Sequence, residues 1–223
     1  MRRLVAFFLC VSCFIAICAC DFQSRKGTDS TNNSVVAYVF VEPLIEAYVR
    51  LRLGLTEDAI ITKSDLQKIT FFDASILDGY EGTIQNLIDL SLFENLETLD
   101  LRYCSLDDLS PLGGLTKLRK LSLEECNVTN IEPLRNLTNL EQLDLSKNFN
   151  LYNLDALQSL VKLRALSLWY APSEDWTPLA NLASLEYLHI RFSGLVEHAE
   201  ELQKALSGCE IVYVQPEYTE PPR

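Results

Sequence analysis

The chain has few residues suited to catalysis. Of its 223 residues only two are histidines, His189 and His198, and none of its eight glycines belongs to a Gly-x-Gly-x-x-Gly, Gly-x-x-x-x-Gly-Lys or Gly-x-Ser-x-Gly motif. No Ser or Cys can be assigned to His189 as a nucleophile that the imidazole would activate. We therefore predict that the chain has no catalytic residues, needs no cofactor and is not an enzyme.

Positive charge is also scarce. The chain has 19 Lys and Arg against 31 Asp and Glu, a net charge of −12. Neutralising phosphates needs a surplus of Lys and Arg on one face, so the balance argues against a nucleic-acid partner. Because 48% of the residues are hydrophobic, the chain can build a globular core, which excludes a disordered or collagen-like protein.

Cysteine is rare once the first 20 residues are set aside. Four of the seven cysteines lie in that segment, and the other three are Cys104, Cys126 and Cys209. A structural metal site needs about four closely spaced Cys or His ligands. The remainder of the chain contains no Cys-x-x-Cys and two histidines, so we predict no metal site.

The first 20 residues have the pattern of an export signal. Two arginines, Arg2 and Arg3, precede an uncharged apolar stretch from Leu4 to Cys20. The sequence Ile17-Cys18-Ala19-Cys20 resembles the bacterial lipobox, in which the final cysteine is lipidated and becomes the new N-terminus. The resemblance implies a signal peptide over 1–19, lipidation at Cys20, and anchoring by two or three acyl chains. An ordinary secretory signal cut near Ala19, or an unmodified membrane segment, is the alternative.

Two further segments lack the periodicity of a packed element. Residues 20–39 are polar at their start and predict a flexible tether. Residues 215–223 are rich in proline and predict a disordered tail. With Cys20 lipidated, the protein would be held at the bacterial cell envelope and face the periplasm or the cell exterior.

The central part of the chain repeats itself. Five apolar triplets share one spacing and follow one another at offsets of 22, 22, 23 and 22 residues; they are Leu96-Leu99-Leu101, Leu118-Leu121-Leu123, Leu140-Leu143-Leu145, Leu163-Leu166-Leu168 and Leu185-Leu188-Ile190. Leu-x-Leu is the period of a strand with one buried side. A single unit cannot bury its own leucine row, so the units are predicted to stack, with their strands about 4.8 Å apart in a parallel sheet.

This pattern resembles the leucine-rich repeat family. The 22-residue period and the segment from Asn136 to Asn148, NLTNLEQLDLSKN, are similar to the internalin-type bacterial class, and the resemblance covers about residues 40–214. It implies an α/β leucine-rich repeat solenoid with a parallel β-sheet on the concave face. It also implies an N-terminal helical cap over 40–60, repeats over 61–199 and a C-terminal closing unit over 200–214.

The first repeat is degenerate. Ile69, Phe72 and Ala74 occupy the triplet positions, and the step from Ile69 to Leu96 is five residues too long. We predict an inserted loop around residues 78–82.

Cys104 and Cys126 lie one period apart, in a column that the family fills with Asn, Cys or Thr and where the next unit has Asn148. The column is expected to point inward at the strand end and to meet backbone groups of neighbouring turns. Two stacked buried thiols are one interpretation, and a disulfide between adjacent coils is the other. Cys209 is expected to be a buried small hydrophobe.

Aromatic residues gather at one end of the predicted concave face. The first three units present charged residues of mixed sign there, whereas the fourth and fifth present rings. We predict a partner-binding patch of eight residues: Trp169, Tyr170, Tyr187, His189, Arg191, Phe192, Tyr103 and Arg102. Large rigid rings beside arginine are typical of binding hot spots. The alternative is that the cap or the loop at Asp175-Trp176 covers these rings.

The predicted function is noncatalytic binding of a protein partner through the concave face, by a protein attached to the membrane through its N-terminal lipid. A structural spacer without a dedicated partner is one alternative. Binding of a glycan or peptidoglycan, with sugar rings stacked on the aromatics, is another. The partner itself is not identified by the sequence.

Overall fold

A computed structural model describes residues 38–77 and 83–213. Several predicted features lie outside the described residues: the signal peptide 1–19, the lipidation site Cys20, all but the last two residues of the tether 20–39, the inserted loop 78–82 and the tail 215–223.

In the described part of the chain, seven short parallel strands form one sheet in sequence order. The strands are β1 (Phe71–Asp73), β2 (Thr98–Asp100), β3 (Lys120–Ser122), β4 (Gln142–Asp144), β5 (Ala165–Ser167), β6 (Tyr187–His189) and β7 (Glu210–Val212). In register, the middle residues of β2 to β6 align as one row of leucines: Leu99, Leu121, Leu143, Leu166 and Leu188.

This row and the two apolar columns beside it form the core. Every member of the five triplets is at most 4% exposed, which confirms the predicted inward positions. Full burial of one leucine side chain contributes about 1.5–3 kcal/mol. The stacked columns therefore supply the stabilisation that a single unit lacks.

The segments that return from one strand to the next contain short 3-10 helices. Their bounds are Ala74–Leu77, Ile88–Leu92, Ser110–Gly114, Glu132–Asn136, Asp155–Ser159, Thr177–Leu179 and Gly194–His198. Pro111, Pro133 and Pro178 lie in the first turn of three of them. Proline suits this position because the first N–H groups of a helix have no partner inside it.

Three α-helices flank the repeats: α1 (Pro43–Leu53), α2 (Lys63–Leu66) and α3 (Ala199–Ala205). Glu42 accepts a hydrogen bond from the backbone of Leu44 at the start of α1, and Gly54 ends the helix at φ 64°. The Tyr48 ring of α1 lies 4.2 Å from the Phe72 ring of β1. A helix and the strand β7 thus stand where the cap and the closing unit were predicted, and their roles as caps stay predictions.

The first repeat follows the pattern at two of its three positions. Ile69 and Phe72 are buried, but Ala74 is only partly buried and begins a 3-10 helix. The chain therefore turns away directly after β1, before the third position of the triplet.

The column of residues that follows the strands, formed by Cys104, Cys126 and Asn148, joins neighbouring repeats through buried hydrogen bonds. The Asn148 amide donates to the carbonyl oxygens of Leu123 and Leu145, both at 2.9 Å, and accepts from the N–H groups of Cys126 at 3.3 Å and Val128 at 2.8 Å. The Cys126 thiol donates to the Leu101 carbonyl oxygen at 2.9 Å. This confirms that the column points inward to backbone groups.

The three cysteines of the described chain are buried free thiols. Of the two interpretations of Cys104 and Cys126, the structure supports two buried thiols and not a disulfide. Burial raises the pKa of Cys104 to about 11, of Cys126 to about 12 and of Cys209 to about 11.

Candidate functional site

The third residue after each of the strands β2 to β6 adopts the left-handed conformation. These residues are Tyr103, Glu125, Lys147, Tyr170 and Phe192, with φ between 56° and 64°. The conformation costs an L-residue about 1–2 kcal/mol, and glycine or asparagine adopts it most readily. Three of the five positions nevertheless carry an aromatic ring, and these rings are 37–59% exposed.

Six side chains of the last repeats form a continuous aromatic cluster. Its members, linked by ring contacts, are Phe149, Trp169, Tyr170, Tyr187, His189 and Phe192. The Tyr170 and Phe192 rings are stacked at 4.8 Å, and the Trp169 and His189 rings are stacked at 5.9 Å. Such pairs stabilise one another by about 0.5–1.5 kcal/mol beyond area burial, so the cluster is a rigid surface.

Lys147 connects this cluster with the acidic side chains of the preceding repeat. Its Nζ lies 2.8 Å from a carboxylate oxygen of Glu124 and 3.2 Å from one of Glu125. The same ammonium lies 5.2 Å from the centroid of the Trp169 ring and 5.9 Å from that of Tyr103. The hydrogen bonds that Lys147 donates to Glu124 and Glu125 raise the pKa of Lys147, so the group stays charged.

The structure brings together most of the predicted patch. Five of the eight predicted residues belong to the aromatic cluster, and Arg191 adjoins it with Cζ 4.7 Å from the Phe192 ring. Tyr103 approaches it only through Lys147. Arg102 is engaged elsewhere, since its guanidinium pairs with Asp100 at 2.8 Å.

Two contributors were missed by the sequence prediction. Phe149 is 59% exposed and lies 6.0 Å from the Tyr170 ring, and Lys147 packs over Trp169. Phe149 lies two residues beyond Lys147, the last outward-facing position predicted for that unit, with the buried Asn148 between them. Extending the predicted face by two positions would have found it.

Most of the cluster is accessible to a partner. Tyr170, Tyr187 and Phe192 are 37%, 38% and 38% exposed, whereas Trp169 is half-buried between Lys147 and His189. Trp176 packs partly buried against the core. The loop at Asp175-Trp176 therefore leaves the three exposed rings uncovered.

His189 is less exposed than a free surface histidine and has a neighbour that the sequence did not identify. Its Nδ1 lies 3.5 Å from the Ser167 hydroxyl, which also bonds the Ser146 hydroxyl at 2.7 Å. Burial lowers the pKa of His189, Asp144 opposes the shift and Arg191 adds to it. The imidazole is therefore neutral at pH 7. Within the described chain no carboxylate hydrogen-bonds to it, so the arrangement lacks the orienting group of a triad.

The concave face of the sheet forms a shallow hollow next to the aromatic cluster. Its floor carries small side chains, among them Ser122, Ala165 and Ser167, and it has a volume of about 460 Å³ between Arg102 and Tyr187.

Residues 38–77 and 83–213 contain neither a metal site nor a membrane-spanning helix. No group of three or more His, Cys, Asp or Glu side chains is arranged to hold a metal ion. No helix in these ranges combines the length and the apolar character that crossing a bilayer requires.

Comparison with known proteins supports the repeat architecture. The family described as Leucine Rich repeats (2 copies) matches residues 94–136 and 116–159. No curated protein matches the chain significantly.

Solved structures with the same architecture come from Listeria monocytogenes. Internalin C2 is 24% identical, with a TM-score of 0.68 over 77% of this chain and 74% of that chain. A second internalin (inlF) is 27% identical, with a TM-score of 0.62 over 78% of this chain, which spans only 56% of that protein's structure. The chain therefore carries leucine-rich repeats, and its fold is an internalin-like α/β leucine-rich repeat solenoid.

Proposed function

We propose that the chain is a noncatalytic recognition protein of the bacterial cell envelope and that it binds a protein partner through the concave face of its sheet. The observation that carries the proposal is the aromatic cluster at the C-terminal end of that face. The fold is typical of protein-interaction scaffolds, so protein binding is the function that we assign to the cluster.

The composition and rigidity of the cluster support binding. Trp, Tyr and Arg are enriched in binding hot spots, and the rings of Trp and Tyr bury a large area while few rotatable bonds are fixed. Ring stacking and the left-handed turns hold Tyr170 and Phe192 in place before a partner arrives. A preorganised surface loses less side-chain entropy on binding, so more of the contact energy appears as affinity.

The chemistry of the described residues supports a noncatalytic role. A nucleophile needs a base that is itself oriented, or a lowered pKa. Burial instead raises the pKa of each of the three thiols. The contact between Ser167 and His189 is long at 3.5 Å.

Attachment to the envelope through lipid on Cys20 is part of the proposal. It is supported by the lipobox resemblance and by the internalin-like fold, because internalin neighbours suggest a surface or secreted protein. Mass spectrometry of the N-terminal peptide from membranes tests it. We expect an acylated Cys20 at the N-terminus and release of the Cys20→Ala variant from the membrane. A mature N-terminus at any other residue would contradict the lipid anchor.

Photo-crosslinking in intact cells tests partner binding. A benzophenone amino acid replaces Tyr187 in the cluster, and a control chain carries it at Tyr152, a ring that is more exposed, at 64% against 38%. We expect discrete protein adducts from position 187 that are absent from position 152. Equal adducts from both positions would refute a dedicated surface.

Two other results identify the alternative functions. Adducts at position 187 that glycosidases remove, but proteases do not, assign the cluster to a glycan. No adduct at either position is the result expected of a structural spacer.

A further inference from the structure

We propose that Arg191 binds a carboxylate of the protein partner and that the partner places an apolar side chain beside it, on the rings of Tyr170 and Phe192. This inference rests on the proposed function and names the chemistry that the aromatic cluster recognises. It follows from how the arginines of the repeats are paired.

Arg191 differs from the other arginines of the repeats. Four of them pair with a carboxylate of the chain itself; the pairs are Arg102–Asp100, Arg119–Glu141, Arg135–Glu132 and Arg164–Glu186. In the described residues, Arg191 has no carboxylate oxygen within 4.0 Å and makes no side-chain hydrogen bond.

The reason lies in the repeat register. Arg102 is held by Asp100, two residues earlier in the same unit, through Nε at 2.9 Å and Nη2 at 2.8 Å. Arg191 occupies the same column. The residue two positions before it is His189, which is aligned with Ser167 on the preceding strand, β5. The fifth unit thus keeps the arginine and replaces its carboxylate partner with a ring of the aromatic cluster.

The guanidinium is held in place by stacking instead. Its Cζ lies 4.7 Å from the centroid of the Phe192 ring. An arginine stacked on a ring keeps the N–H donors at its edge, where they match the two oxygens of a carboxylate. Because the ring already restricts the side chain, a carboxylate binds with little further loss of rotamer freedom.

Unsatisfied donors also concentrate here. Four buried side-chain polar atoms of the described chain have no hydrogen-bond partner, and two of them are Trp169 Nε1 and Arg191 Nε. Trp169 and Arg191 hold the same position in neighbouring repeats. A buried donor without an acceptor is destabilising, so this end of the sheet has a deficit of acceptors.

The surrounding charges limit the partner to a single carboxylate. Glu174 and Glu197 line the same surface pocket as Arg191, Asp144 lies near His189, and the chain as a whole has a net charge of −12. Surface charges are screened beyond about 8 Å at physiological salt, so an isolated carboxylate can reach Arg191, whereas a run of acidic residues would meet the glutamates. The segment that fits therefore has one acidic residue flanked by apolar ones.

Selection from a random library of 12-residue peptides displayed on phage tests this chemistry. The full chain is immobilised, and peptides that also bind the Trp169→Ala/Tyr187→Ala double variant are removed. Selected peptides are synthesised and their affinity is measured by calorimetry for the wild-type chain and for Arg191→Gln, Arg191→Lys and Arg119→Gln. Arg119 is the matched control because its carboxylate partner lies in the chain.

We expect the peptides to share one Asp or Glu beside an aromatic or aliphatic residue. Arg191→Gln should weaken binding about tenfold, Arg191→Lys should recover part of the loss, and Arg119→Gln should change the affinity less than about twofold. Replacing the peptide's Asp or Glu by Asn or Gln should weaken binding to the wild-type chain as much as Arg191→Gln does. The same replacement should not further weaken binding to Arg191→Gln.

Different outcomes refute the carboxylate assignment, the proposed function and the assignment to a partner. If Arg191→Gln and the amide peptide both bind as tightly as their parents, the carboxylate assignment is wrong and the aromatic site stands. If no peptide remains once those that bind the double variant are removed, the proposed function fails. If Glu217→Gln/Glu220→Gln in the chain's own C-terminal segment raises peptide affinity about tenfold, that segment occupies Arg191, and the assignment to a partner is overturned.

Discussion

Replacing Asn148 with alanine tests how neighbouring repeats are joined. The buried Asn148 amide accepts from the backbone N–H groups of Cys126 and Val128 and donates to the carbonyl oxygens of Leu123 and Leu145. Asn148 is fully buried, so water cannot replace the lost partner. Alanine would leave two donors of the preceding repeat without an acceptor.

The size of the effect follows from these contacts. A buried donor left unpaired costs about 1–3 kcal/mol, so two of them lower the free energy of unfolding by about 4 kcal/mol. This is a large share of the about 5–15 kcal/mol that stabilises an ordinary domain. With a slope of about 2 kcal/mol per molar urea, the unfolding midpoint should fall by about 2 M.

Urea unfolding followed by circular dichroism measures this shift. Asn148→Cys should be intermediate, because the Cys126 thiol already shows that a cysteine in this column donates to a carbonyl. Asn153→Ala is the control, since its amide makes hydrogen bonds only at an exposed turn. A loss from Asn148→Ala no larger than that from Asn153→Ala would refute the reasoning.

Three further predictions concern the turns, the thiols and acid stability. Phe192→Asn should leave the free energy of unfolding within about 1 kcal/mol of the parent, because asparagine tolerates the φ of 56°, yet weaken partner binding about tenfold; intact binding would contradict it. The three buried cysteines should resist iodoacetamide at pH 8 until urea unfolds the chain, since their raised pKa values keep them protonated, and rapid labelling of the folded chain would contradict this. Lys68, with further hydrogen bonds at the start of α2, lowers the pKa of Asp65 to about 2, so this carboxylate contributes stability above about pH 4 that is lost as the pH falls towards 2. Asp65→Asn should therefore lower the urea midpoint at pH 7 and have a much smaller effect at pH 2; an equal effect at both values would show that the charge is irrelevant.

The repeated core could be predicted from the sequence because one column of leucines recurs at a nearly constant offset. Leu99 and Leu188 are four repeats apart, yet both lie in the predicted inward row. Ala74 departs from it, since the chain forms a 3-10 helix directly after β1. The sequence around Ala74 has no repeated partner from which that early turn could be inferred.

The site was predictable only as a set of columns. Alignment of the repeats places Tyr170 beside Phe192, and their rings are indeed stacked. It does not tell how far a side chain reaches across repeats, so Lys147, which packs on Trp169, and Phe149 were missed. Nor does it tell which charges are already paired. Arg102 and Arg191 share a column, but among the described residues only Arg102 has a carboxylate within ion-pair distance.

The affinity of a partner identified by crosslinking tests the central claim most directly. It is measured by calorimetry for the wild-type chain, for Trp169→Ala/Tyr187→Ala and for Tyr152→Ala, whose exposed ring makes no contact with the cluster among the described residues. Circular dichroism melts show that each variant is folded. Removal of a hot-spot side chain costs at least about 2 kcal/mol, so we predict that the double variant binds at least about 30-fold more weakly and that Tyr152→Ala binds normally. A folded double variant with the affinity of the parent would contradict recognition through this face.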